Sequence, residues 1–151
     1  VEIRATLHDG SPVRASVTHE TPSGGSGFST SVEGWEIAPP FRAVVRSRGL
    51  QPRVLEVRPG DDPVVRFGPC SLRLSVRRAD DPEAPVEARV LLDDVLHDVS
   101  DEEPLEIGGL DEGPHEAFVV SSDADLRGAR LRFTLRAGET LDHGVDLVPR
   151  E

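Results

Sequence analysis

The 151 residues carry a formal net charge of −11 at pH 7, with one cysteine, one tryptophan and no methionine, tyrosine, lysine or asparagine. The lone Cys70 excludes an internal disulfide, and no apolar run approaches the ~20 residues that a membrane-spanning helix requires. The acidic balance repels phosphate backbones and anionic lipid, so neither nucleic acid nor membrane insertion is expected.

That charge is unevenly held. Residues 1–68 carry eight Arg against three Asp and five Glu and are neutral, whereas residues 69–151 carry nine Arg against eleven Asp and nine Glu and hold the whole imbalance. Arginine as the sole strong base fits the coding bias of a GC-rich bacterial genome. No secretory signal is read in the chain, and its low cysteine content suits a reducing cytosol or a bacterial envelope alike.

In chain order, Val1, Ile3, Ala5 and Leu7 alternate with polar residues and predict a strand with one buried face. Asp9-Gly10 turns it, and Val13, Ala15 and Val17 supply the inner face of the next strand, with Pro12 at its start. The stretch from Thr21 to Gly27 reads as a flexible loop that lacks the lysine and following helix of a phosphate-binding loop. Phe28 to Ile37 predicts a strand broken near Gly34, with Trp35 and Ile37 inward. Phe41, Ala43 and Val45 share one face of a further strand, with Arg42, Val44 and Arg46 on the other. Short strands follow at Val54–Val57 and Val64–Phe67, and Gly68-Pro69 is the expected boundary.

Beyond it the order of elements recurs. Ala84-Pro85-Val86-Glu87-Ala88-Arg89-Val90 echoes Ser11-Pro12-Val13-Arg14-Ala15-Ser16-Val17 at an offset of 73. Leu105-Glu106-Ile107 matches Trp35-Glu36-Ile37 at 70, Ala117–Val119 matches Ala43–Val45 at 74, and Leu135–Gly138 matches Val57–Gly60 at 78. The drift is expected to fall in turns, where insertions are absorbed. Strands are predicted at Leu72–Val76, Val86–Leu92, Val95–Val99, Arg130–Leu135 and Leu141–Leu147. Only Leu50–Leu55 and Ser122–Leu126 offer even one helical turn. Short alternating strands with Pro/Gly turns point to an all-β chain of two tandem β-sandwich domains, residues 1–68 and an acidic 69–151.

Pro12-Val13-Arg14-Ala15-Ser16-Val17 and Pro85-Val86-Glu87-Ala88-Arg89-Val90 resemble the Pro-Val-x-x-Ala-x-Val motif of the carboxypeptidase regulatory-like family. Glu33-Gly34-Trp35-Glu36-Ile37 is similar to its Asp-Gly-x-Phe-x-Ile segment, Leu110 to His115 to its Leu-x-x-Gly-x-Tyr turn, and Val145-Asp146-Leu147 to its closing strand. His115 stands where the aromatic usually does, and Glu103-Pro104 lacks the glycine. The resemblance implies a transthyretin-like (prealbumin-like) Greek-key sandwich of about seven strands per copy. A related group of adhesin domains is locked by a lysine–asparagine crosslink, which this composition excludes.

The five histidines are scattered outside any H-E-x-x-H or H-x-x-E pattern, and no G-x-S-x-G elbow is present. Asp93, Asp94, Asp98 and Asp101, with His97, Glu102 and Glu103 nearby, are the candidate calcium ligands, although their spacing is not that of an EF-hand. Cys70 reads as a small buried residue at a strand start. Arg42, Arg46 and Arg48 form the notable basic stripe, a candidate contact for an acidic surface. No cofactor and no enzyme activity are expected. The expected function is a non-catalytic structural or protein-interaction accessory module of a larger bacterial protein, placed in the periplasm, on the cell surface or outside the cell. Its partners would be neighbouring domains or another protein. The alternative is a carbohydrate- or other ligand-binding module, which needs exposed aromatic faces from Trp35 and Phe28.

Overall fold

A computed structural model describes residues 1–99 and 103–150. It divides into two compact units, Val1–Pro69 and Cys70–Glu151. The first holds strands β1 (Arg4–Thr6), β2 (Ser16–Glu20), β3 (Ser26–Ser29), β4 (Phe41–Arg46), β5 (Arg53–Val57) and β6 (Val64–Arg66). The second holds β7 (Cys70–Arg78), β8 (Ala88–Leu92), β9 (Val95–Val99), β10 (Leu105–Leu110), β11 (Gly113–Ser121), β12 (Ala129–Leu135) and β13 (Thr140–Leu147). Among the described residues there is no helix, and so none long and apolar enough to cross a membrane.

Within the second unit β10-β7-β13 form one sheet and β12-β11-β8-β9 the other. In the first, β5-β4-β2-β3 repeat the four-stranded order, and β1 pairs with β6 in parallel as β7 does with β13. The counterpart of β10 shrinks to one bridge, Glu2 to Glu36, at the place where Arg73 meets Glu106. Register repeats as well: Val17 faces Val45, and Val90 faces Val119. The duplication seen in the sequence is therefore a duplication of strand order and pairing.

Alternation explains the interiors. In β4 the inward Phe41, Ala43 and Val45 are buried while Arg42 and Arg46 are exposed. In β7 Cys70, Leu72 and Leu74 are buried. Each unit gathers its own cluster: Ile3, Val17, Val45, Val65 and Phe67 are central to the first, and Leu74, Val90, Val119, Leu135 and Leu147 to the second. Both clusters take side chains from both sheets of their unit, which makes each a two-layer, sandwich-type arrangement.

Several details depart from the sequence reading. The stretch from Thr21 to Gly27 is a bonded hairpin turn and not a loose loop: Thr21 N–H donates to the Gly25 carbonyl at 2.8 Å, and Gly25 N–H to Thr21 Oγ1 at 2.9 Å. The second unit replaces that five-residue turn with Asp93-Asp94 alone, at φ 46° and 67°. Both residues are left-handed, as the primed two-residue hairpin demands. Offset drift is not confined to turns. Phe41 opposite Val57 and His115 opposite Phe133 set an offset of 76, so β12 holds two additional residues before the matching turn at 78. That turn is itself repeated: Arg58 N–H donates to Asp61 Oδ2, and Arg136 N–H to Glu139 Oε1. The stretches expected to allow a helical turn form part of β5 and a turn before β12.

Candidate functional site

The same concavity recurs in both units. In the first, Glu20, Pro40, Phe41, Arg42, Glu56 and Val57 surround about 350 Å³. In the second, Asp93, Pro114, His115, Glu116, Arg132 and Phe133 surround about 400 Å³. By strand register these residues are equivalent in order. The cross-strand pair is inverted between them: Arg42 faces Glu56, whereas Glu116 faces Arg132. The Glu116 carboxylate accepts from Arg132 Nε at 3.1 Å.

His115 holds its imidazole in a charged setting at this position, with 9% of its side chain exposed. Its ring stacks on Phe133 with centroids 5.6 Å apart. Nδ1 contacts the Asp93 carboxylate, and Nε2 lies 2.6 Å from the Asp111 carbonyl oxygen. The other Asp93 oxygen accepts the Glu116 N–H at 3.0 Å. An Asp–His pair could activate a nucleophile only if the far nitrogen were open to it. Here both nitrogens are taken by the protein's own acceptors, and the group acts as a clamp between the Asp93-Asp94 turn and β11.

The proposed calcium ligands are distributed by the hairpin. Asp93 and Asp94 form its turn, with Asp93 committed to His115 and Glu116. Asp98 stands across the ladder from Arg89, 3.5 Å from its Nε. Asp101 lies outside the described residues, as does Glu102. Among the described residues no three His, Cys, Asp or Glu side chains converge on a metal-sized space. His97 faces inward on β9, and partial burial pushes its imidazole below the ordinary range.

Sequence reading missed the densest polar cluster. Arg78, with 16% of its side chain exposed, reaches Asp80 at 2.9 Å, Asp123 at 2.8 Å and Asp125 at 2.9 Å. It ties the end of β7 to the turn before β12. The Asp123-x-Asp125 spacing was the visible signal, but the cation comes from 45 and 47 residues away. Hydrogen bonds from Arg78 hold the carboxyls of Asp80 and Asp125 below the usual carboxylate range. A depressed folded pKa contributes stability above the unfolded value near 3.8 that is lost as pH falls through the folded one. Urea unfolding between pH 5 and about 2 is expected to show a loss of second-unit stability that is shallower in Arg78→Gln than in the natural chain.

In the first unit His19 occupies the inward position that Leu92 fills in the second. Its ring lies 5.3 Å from Trp35 and 6.4 Å from Phe41, and Trp35 meets Phe41 edge-on at 5.6 Å. Trp35 is thus packed on the core, while Phe28 projects from the outer sheet face at 64% exposure. The two rings do not form one platform. A Cβ on Gly27 would lie 2.5 Å from His19 Cε1, and the ring is backed by Trp35 and Phe41. Gly27→Ala is therefore expected to cost about 1–3 kcal/mol in thermal or urea unfolding of the first unit. Cys70 is fully buried, with its thiol 3.1 Å from the Arg136 carbonyl oxygen to which it donates. A thiol buried in an apolar cluster is a packing residue.

No protein-family model matches the sequence, and a comparison with curated proteins finds no match. Among solved structures, the chain is similar to the Bacillus anthracis TIE protein at 11% identity and a TM-score of 0.43, covering 97% of this chain and 33% of that one. It is similar to a minor pilin of Streptococcus agalactiae at 10% identity and a TM-score of 0.43, covering 92% and 84% respectively. A streptococcal ancillary pilin follows at 8% identity and a TM-score of 0.42, over 98% of this chain and 61% of the other. The chain spans about a third of the length of the first and under two thirds of the last. Scores of this size leave the functional reading to the chain's own residues.

Proposed function

We propose that the chain is a non-catalytic structural or protein-interaction accessory module of a larger bacterial protein that works at the cell surface, in the periplasm or outside the cell. Its two tandem domains, residues 1–68 and 69–151, are read as prealbumin-like sandwiches of the carboxypeptidase regulatory-like kind. The seven strands among the described residues of the second unit and the motif matches around Pro12 and Pro85 support that finer reading.

Repetition with internally closed chemistry carries the functional reading. The same strand order and register are built twice, while the reactive side chains serve the frame that holds them. His115 spends both nitrogens on Asp93 and Asp111, Arg78 spends its guanidinium on three aspartates, and Cys70 is sealed. A frame of this kind fixes and presents surfaces.

Amide shift mapping of the labelled chain against a neighbouring part of its parent protein tests this directly. The expected footprint lies on sheet faces and edges. Saturable shifts confined to Asp93–Asp98 on adding millimolar calcium, or centred on Trp35 on adding an oligosaccharide, would replace it with the ligand-binding reading.

A further inference from the structure

Polar residues ordinarily cover the outer faces of a two-layer sandwich, yet both four-stranded sheets carry there a row in which three of four residues are apolar. In the first unit the row crosses the strands through Phe28, Thr18, Val44 and Val54. Phe28 is 64% and Val54 48% exposed. In the second it runs through Leu96, Leu91, Phe118 and Arg130. Leu96 is 57% exposed, and Leu91 and Phe118 are each 39% exposed. A single exposed apolar side chain is ordinary. Here three apolar side chains in a row recur at one register, immediately beside the buried Val17–Val45 pair in one unit and the Val90–Val119 pair in the other.

We propose that the two faces are the complementary halves of one self-association interface, in which the first unit of one copy packs its four-stranded sheet on that of the second unit of another copy. This rests on the reading of the chain as an interaction module and names a second copy as the partner.

Charge selects the mixed pairing. Beside the first row stand Glu20, Arg42 and Glu56 on one side and Arg46 on the other. Beside the second stand Arg89 and Val120 on one side, with Asp98 outside Arg89, and Glu116 on the other, with Arg132 outside it. Turned face to face about an axis along the rows, Glu20 meets Arg89, Arg46 meets Glu116, and Arg42 lies over the apolar Val120. The same operation on two first-unit faces sets Arg42 against Arg46. On two second-unit faces it sets Arg130 against Arg130, and it brings together two segments that each hold the whole −11 charge. Like charges facing one another suppress such pairings.

A four-stranded face five residues long measures about 19 by 17 Å, short of the ~800 Å² per partner of a stable complex. Association is therefore weak, with a Kd on the order of 100 μM. Two unlike faces on one chain leave a free face at each end, so growth is open-ended unless a ring closes.

Sedimentation velocity of the full chain from about 10 μM to about 1 mM tests the proposal. The weight-average sedimentation coefficient is expected to rise with concentration without levelling at a dimer. Val44→Glu disables the first face and Phe118→Glu the second. Each variant alone is expected to stay monomeric, and an equimolar mixture to form a one-to-one dimer and stop there. Circular dichroism checks that each is folded, and Phe28→Glu with Leu96→Glu provides a second pair at more exposed positions. A natural chain that is monomeric throughout, a single variant that still dimerises, or a folded mixture that stays monomeric would each overturn the interface. None of these results alters the broader module reading, which shift mapping addresses separately.

Discussion

Phe67→Ala is expected to lower the stability of the first unit by about 3–5 kcal/mol, read from the urea midpoint of that unit. Phe67 is fully buried just beyond β6, and its N–H donates to the Thr6 carbonyl at 2.9 Å. It closes the cluster that Ile3, Val17 and Val45 begin. A unit of this size has a total stability of roughly 3–10 kcal/mol at the usual value per residue, so one cavity removes much of it. The parallel strand pairing that holds β6 to β1 spans only three residue pairs, and it offers little to offset the loss.

Leu92→Ala is expected to cost the second unit about 2–5 kcal/mol. Leu92 is fully buried at the end of β8, directly before the Asp93-Asp94 turn, and faces Ala117 across the ladder. Ala117 is too small to reach into the space left, so the cavity stays open and the upper part of the range is expected. The turn's own bonds to Glu116 survive the substitution, since they use the Asp93 backbone N–H and carboxylate. Thermal unfolding followed at second-unit residues separates the loss of packing from a loss of the turn.

Much of this fold was legible because alternation is a strong signal wherever one face of a strand is buried. Phe41-Arg42-Ala43-Val44-Val45-Arg46 and Leu72–Val76 placed their strands and faces, and the Pro-Val-x-x-Ala-x-Val echo placed the repeat. Phe118 was harder to phase. The run Ala117-Phe118-Val119-Val120 is apolar throughout, and only its pairing with Leu91 shows that the ring faces out. The Asp93-Asp94 turn lacks the glycine that usually announces a primed hairpin. His19 sits inward because its neighbours Trp35 and Phe41 accept a ring there, a preference that no local pattern records.

The candidate site was less legible, for the same physical reason. Arg78 meets Asp123 and Asp125, and His115 meets Asp93, only because β7, β8 and β11 bring distant positions together. Acidic density in the sequence pointed to Asp93, Asp94, Asp98 and Asp101 as a cation site; the hairpin gives Asp93 the His115 contact and sets Asp98 opposite Arg89, while Asp101 lies outside the described residues. Charge counted along a chain says how many carboxylates are near in sequence. Pairing decides which of them share a space.

The most direct test of two self-contained interiors is native-state hydrogen exchange on the Phe67→Ala variant of the 151-residue chain. Separate clusters predict faster exchange of amides in β2, β4 and β5, with protection in β7, β8 and β11 unchanged from the natural chain. Equal acceleration in both sets would mean that one interior supports the whole molecule, and would contradict the duplicated frame on which the functional reading stands.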